Sequence, residues 1–302
     1  LWTDAFAVCN FLELHRATGE AALRDCALRL VEQVHATLAR HRPDDPRTGW
    51  ISGLDEDQGR AHPTRGGLRI GKPLPERAPG EPLDEQLEWE RDGQYFHYLT
   101  KWMRALAHVA RAERDERCLL WALELPQATH SGFCRAPGGA GRGRIAWRMS
   151  IDLSRPLVPS SGQHDPLDGL LTFRELRVAM RRARWTAAAP ALDGPIAEMR
   201  SMCADADWTT LDPLGLGGLL CDAYRMAQLA GEEPGVDASL LHSVVQSCLT
   251  GLAALAARGG LGGPAARRLA FRELGLAIRL PARPPFVRGV DPDVARRGGR
   301  GR

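Results

Sequence analysis

Apolar residues recur at helical spacing along most of positions 1–280, and the pattern is widest between Glu88 and Ala110. There, Tyr95, Leu99, Trp102, Leu106 and Val109 form one stripe, with Phe96, Met103, Ala107 and Ala110 beside it. Only His97, Lys101, Arg104 and His108 interrupt them, as a narrow polar line. A helix apolar over most of its circumference is packed on several sides. The pattern therefore predicts a buried helix, with Asp92 as its N-cap. Its approach is polar, because Glu88, Glu90, Asp92, Gln94, Tyr95 and His97 crowd around its first turn.

Upstream, Asp4 to Thr18 predicts a helix with Phe6, Cys9, Asn10, Leu12 and Leu14 turned inward and Gly19 as its stop. Glu20 to His41 is its amphipathic partner. Residues 43–87, rich in Gly, Pro and charge, are too long for a simple connection and read as a lid or a disordered loop. After the central helix, Asp115 to Leu125 predicts another partner helix. A second excursion, residues 130–163, holds a Gly/Arg-rich turn (Gly138 to Gly143) and a β-like run, Arg144 to Leu153. Asp-Pro-Leu, a strong helix start, occurs at 165–167 and 212–214 and opens helices ending near Arg184 and Gly231. A short helix near Ile196 to Cys203, and longer ones over Ser239 to Ala257 and Ala265 to Leu280, complete the set.

Helices starting near Asp4, Asp92, Asp165, Asp212 and Arg267 are apolar all round or rich in small residues, and those between them are amphipathic. Alternating inner and outer helices are expected of hairpins that each bury a face against the next. This rhythm resembles the (α/α)6-barrel, or six-hairpin, superfamily of carbohydrate-active enzymes, which includes N-acylglucosamine 2-epimerase-like proteins and many glycoside hydrolases. The resemblance covers about residues 1–280. It implies an all-α (α/α)6 toroid with long lid loops, a short β-like segment and a site in a funnel at the N-terminal ends of the inner helices. Leu1 begins in mid-pattern and five inner helices are counted, so the reading expects truncation at the N-terminus. One departure is that the last inner helix carries no histidine, whereas the epimerases use a pair on inner helices.

Composition alters this picture little. Apolar content of 44% and charged content of 25% suit a globular chain, and no apolar run approaches the roughly 20 residues that span a bilayer. Residues 281–302 carry six arginines against two aspartates, which leaves the rest of the chain near −1 despite a net charge of +3. That balance excludes a basic nucleic-acid footprint on the folded part, and it marks 281–302 as a disordered Pro/Arg/Gly-rich tail behind a helical domain over 1–280. The seven cysteines are odd in number, widely spaced and without a CxxC pair. They read as free thiols of a reducing, cytoplasmic compartment, with no metal and no cofactor expected.

Candidate chemistry gathers at the helix openings. Gly66 to Lys72 fits GxxxxGK, but Pro73 stands where a Mg²⁺-ligating Ser or Thr belongs, so a glycine-rich lid loop is the better reading. The decapeptide Ser160 to Gly169 holds His164, Asp165 as cap and Asp168 one turn in, with Gly169 leaving room for a ligand. Asp168, His97, Asp92, His164 and Asp165 are the candidate acid–base residues; Tyr95, Gln94, Trp147, Trp50 and Arg69 are the candidate substrate contacts. The expected activity is hydrolysis or epimerisation of a carbohydrate, with a small molecule or oligosaccharide as partner and neither nucleic acid nor membrane. The alternatives are a non-catalytic toroid that binds a glycan or protein, and an isoprenoid-type toroid.

Overall fold

A computed structural model describes residues 1–135, 143–185, 191–204, 206–233, 237–259, 262–264, 266 and 268–277. Statements of absence below concern those residues. Most of the Gly/Arg-rich turn and the whole of 281–302 lie outside them. The chain is mostly helical and divides into two compact units, Leu1–Cys203 and Ala204–Arg302.

The first unit begins with the hairpin α1 (Trp2–Thr18) and α2 (Ala21–Leu38), turned at Gly19 as expected. The buried stripe of α1 is Ala5, Val8 and Leu12. Phe6 and Leu14 lie off that stripe and are 42% and 49% exposed, and Asn10 is exposed as well, contrary to the inward positions expected of them. Two short helices follow, α3 (Glu56–Ala61) and α4 (Glu85–Glu88), and then strand β1 (Gln94–Tyr95). The second hairpin is α5 (Phe96–Glu113) with α6 (Glu116–Phe133). Strands β2 (Cys134–Arg135), β3 (Arg144–Ile145) and β4 (Arg148–Met149) lead to the third, α7 (Asp165–Arg182) with α8 (Asp193–Cys203). Pairing is antiparallel: β1 with β4 (Tyr95 opposite Arg148) and β2 with β3 (Cys134 opposite Ile145). The β-like run thus becomes two short strands in separate sheets.

Helix α5 is the hub. It packs against α1, α6 and α7 and buries Phe96, Leu99, Trp102, Met103, Leu106 and Val109. Each of these large apolar side chains contributes about 1.5–3 kcal/mol by burial. Its polar line is half-buried and paired: Lys101 with Asp168 at 2.7 Å, Arg104 with Glu175 at 3.2 Å and His108 with Glu13 at 3.1 Å. Successive leading helices α1, α5 and α7 are neighbours, and each has its own partner, α2, α6 or α8.

Three local expectations are corrected. Asp92 does not cap α5, because β1 intervenes and Tyr95 takes the cap position without a side-chain bond. Asp165 is the first residue of α7, not its cap; the cap position is His164. Helix α6 continues eight residues beyond Leu125, to Phe133, straight through Pro126. Proline removes one ladder bond, but Leu125, Pro126, Thr129 and Phe133 all sit in the core, so packing outweighs the breaker.

Residues 43–87 are anchored rather than a free lid, with their buried positions within 50–70 and 71–87 largely exposed. Trp50, Leu68 and Ile70 are buried, and arginines stitch the segment down: Arg47 to Asp45, Glu76 and Asp152, and Arg77 to Glu88 and the Leu157 carbonyl. Gly67, at φ 75°, is required here. A Cβ on it would stand 2.1 Å from Oε1 of Gln94.

In the second unit, α9 (Pro213–Ala230) packs on α10 (Ala238–Ala257) and on α11 (Ala270–Ala277). Asp212 caps α9 as expected, its Oδ2 accepting from the Gly215 amide at 3.0 Å. Gly217 lets α11 approach closely, since a Cβ there would meet the Gly275 carbonyl oxygen at 2.3 Å. Leu216, Leu255 and Leu276 form a buried apolar cluster where the three helices meet. Helix α10 corrects the membrane estimate: 20 residues with a mean hydropathy of 1.5 over its best window make it long and apolar enough to span by length and composition. Its Ser, His, Gln and Thr residues break up the apolar run but bring no charge.

Candidate active site at the helix N-termini

Pairing of β1 with β4 sets Tyr95 beside Arg148, and the chain then turns directly into α5. His97, the second residue of α5, therefore faces the N-terminal end of α7, where Asp165 is the first residue. His97 Nδ1 lies 3.7 Å from Asp165 Oδ1. Asp165 is 7% exposed, and its Oδ2 has no hydrogen-bond partner among the described residues. A helix N-terminus favours such a carboxylate through its aligned amides.

Aromatic rings surround the pair. Tyr95 stacks on His97 with centroids 5.2 Å apart, and Trp147 leans on Tyr95 at 5.2 Å. Trp2, from the start of α1, meets His97 edge-on at 5.7 Å and Tyr98 at 5.2 Å. Burial pushes both phenols above their ordinary range, although the Arg148 guanidinium, 5.6 Å from the Tyr95 ring, pulls Tyr95 the other way. Next to this group, Asp168 accepts from the Lys101 ammonium at 2.7 Å and from the Thr100 hydroxyl. Its carboxylate thus ties α7 to α5. Gly169, expected to leave room for a ligand, is filled instead: a Cβ would meet the Phe96 ring at 2.8 Å.

Of the ten residues singled out from the sequence, His97, Asp165, Asp168, Tyr95 and Trp147 come together. His164 adjoins them in sequence as the α7 cap residue, half-buried. The remaining four belong to structural networks. Asp92 is fully buried and accepts from Arg69 at 2.8 Å, the Gly71 amide at 2.9 Å and Arg42 at 3.4 Å. The other two nitrogens of Arg69 donate to the carbonyls of Arg40 and Thr37, each at 2.9 Å. Gln94 accepts from the Leu68 amide and donates to the carbonyls of Gly66 and Ile151. Trp50 is 5% exposed beneath Arg40, and its indole donates to Glu56 at 3.2 Å. Glu88, counted in the polar approach to the central helix, is buried and pairs with Arg77 at 2.8 Å and Arg148 at 3.0 Å.

Sequence reasoning did not single out Trp2, Tyr98, Thr100 or Arg148 for this site. Trp2 and Tyr98 carried an aromatic signal, but nothing local showed that two helix starts would converge. Two further polar clusters were also missed. Glu124, buried on α6, accepts from Thr64 at 2.7 Å and Arg65 at 3.2 Å and contacts His62 Nδ1 at 2.5 Å. At the end of α6, donor atoms of His130, Cys134 and Glu198 lie within 4.8 Å of one another. Burial and the nearby Glu198 charge push the Cys134 thiol up to about 12. Compared with protein-family models, with curated proteins and with solved structures, the chain matches none.

Proposed function

We propose that the first unit is an arc of a six-hairpin toroid whose mouth performs acid–base chemistry on a carbohydrate or similarly polyhydroxylated substrate. The supporting observation is that the N-terminal ends of α1, α5 and α7 place Trp2, His97 and Asp165 in one aromatic-walled group. In the proposed reaction His97 takes a proton from the substrate while Asp165 orients the ring and stabilises the imidazolium that forms. At 3.7 Å the pair is longer than a hydrogen bond, and catalytic contacts of this kind tighten when substrate binds. Tyr95, Trp147 and Trp2 supply apolar faces for the C–H side of a sugar ring. Asp168, already paired with Lys101, positions α7 rather than carrying a proton.

The test is turnover over a panel of mono- and disaccharides, with melting temperatures on the same samples. His97→Ala and Asp165→Asn should each lower kcat by roughly 100-fold or more, the scale of a lost general acid or base, while melting changes little. The Lys101–Asp168 pair also favours a second reading, a glycan binder without turnover, because it neutralises one of the two carboxylates at the mouth. Calorimetric binding that Trp147→Ala abolishes, with no turnover on any sugar, would select it. Neither turnover nor binding would end both.

A further inference from the structure

The end of helix α6 carries a donor set that the mouth chemistry does not use. His130 lies in its last turn, and Cys134 is the residue that ends it, one helical turn on. Glu198 reaches them from the middle of α8, its Oε2 2.6 Å from His130 Nε2. All three side chains are half-buried, and their ligand atoms lie within 4.8 Å of one another; no other three potential metal-ligating groups come as close among the described residues.

We propose that His130, Cys134 and Glu198 form a three-ligand site for a borderline divalent metal, zinc in the first instance, with the fourth position open to water. The chemistry of the donors selects the ion. One thiolate, one imidazole and one carboxylate together suit Zn²⁺ and exclude the hard, all-oxygen preference of Mg²⁺ or Ca²⁺. With bonds of roughly 2.0–2.3 Å in a tetrahedron, neighbouring ligand atoms stand roughly 3.3–3.6 Å apart. The 2.6 Å His130–Glu198 contact is shorter than that spacing and the 4.8 Å limit on the set is longer, so the side chains adjust when the ion enters. A simple ion pair would explain His130 and Glu198, but not a thiol at the third corner. Cys134 forms no disulfide. The ion would clip α8 of one hairpin to the end of α6 in another.

The experiment uses the full chain, stripped of metal and titrated with Co²⁺ while the absorption spectrum is followed. A near-ultraviolet thiolate-to-cobalt charge-transfer band should appear and saturate at one equivalent, and Zn²⁺ should displace it. Cys134→Ser should abolish the band. His130→Ala and Glu198→Ala should weaken cobalt binding by at least roughly 10–100-fold, and Cys26→Ser should change nothing. No charge-transfer band in the unmodified chain, or a band that survives Cys134→Ser, would overturn the proposal. Should Cys134→Ser fail to fold, Glu198→Ala decides: its side chain is 40% exposed on α8, and unchanged affinity there would also overturn it.

Discussion

The buried histidine of α2 makes the stability of the first unit depend on acid in a way that can be worked through. His35 is 5% exposed, with the Trp102 and Trp121 rings edge-on to it at 5.7 and 4.9 Å. The Trp102 indole donates to His35 Nε2 at 3.1 Å, so that nitrogen must carry no proton. Burial pushes the imidazole down to about 3, from an ordinary value of 6.5. The unfolded chain therefore binds a proton between these values that the native chain refuses. Stability is complete above pH 6.5 and falls as pH drops toward 3, because the unfolded state there holds more protons. Each pH unit in that window costs about 1.4 kcal/mol, so the loss is about 1.4 kcal/mol at pH 5.5 and about 2.7 kcal/mol at pH 4.5. His35→Gln keeps an acceptor for the indole but does not titrate. Urea unfolding followed by tryptophan fluorescence at pH 8, 5.5 and 4.5 should give the unmodified chain a steeper acid loss than the variant. The difference between the two profiles should match these figures, since carboxylate contributions are common to both. Parallel profiles would refute the reasoning and mean that His35 is protonated, or wet, in the folded chain.

Two further outcomes follow from packing. Gly67→Ala forces a side chain into the left-handed region and onto Gln94 Oε1, and should cost about 2–3 kcal/mol in thermal or urea melting; adding Gln94→Ala should give a double mutant less destabilised than the sum, because the clash is then gone. Asp168→Ala leaves the Lys101 ammonium, 19% exposed, without its counter-charge and should cost about 3–5 kcal/mol, whereas the paired replacement Lys101→Met with Asp168→Leu should recover most of it. Equal losses in the single and paired variants would show that the ion pair is not what joins α5 to α7.

Helix α5 could be read from the chain itself. Its two adjoining apolar stripes require burial on several sides, and the narrow line His97, Lys101, Arg104, His108 survives in the fold as its half-buried edge. The hairpin turn at Gly19 and the cap at Asp212 were equally legible, because backbone conformation and capping act within a few residues. Local signals failed wherever a distant partner decided. Asp92 and Arg69 carry charges that mark a site in the sequence, but they meet each other across 23 residues and satisfy one another in the interior. Pro126 announces a helix end, and buried neighbours on both sides override it. Residues 43–87 have the composition of a loose lid, yet arginine–carboxylate pairs to positions as remote as Asp152 hold them down. The same limit applies to both proposed sites. His97 and Asp165 are 68 residues apart, as are His130 and Glu198, and only the packing of α7 on α5 and of α8 on α7 brings each pair within reach. Periodicity reports which face of a helix is buried. It carries no term for which other helix covers that face, so the convergence of polar groups is decided by tertiary structure alone.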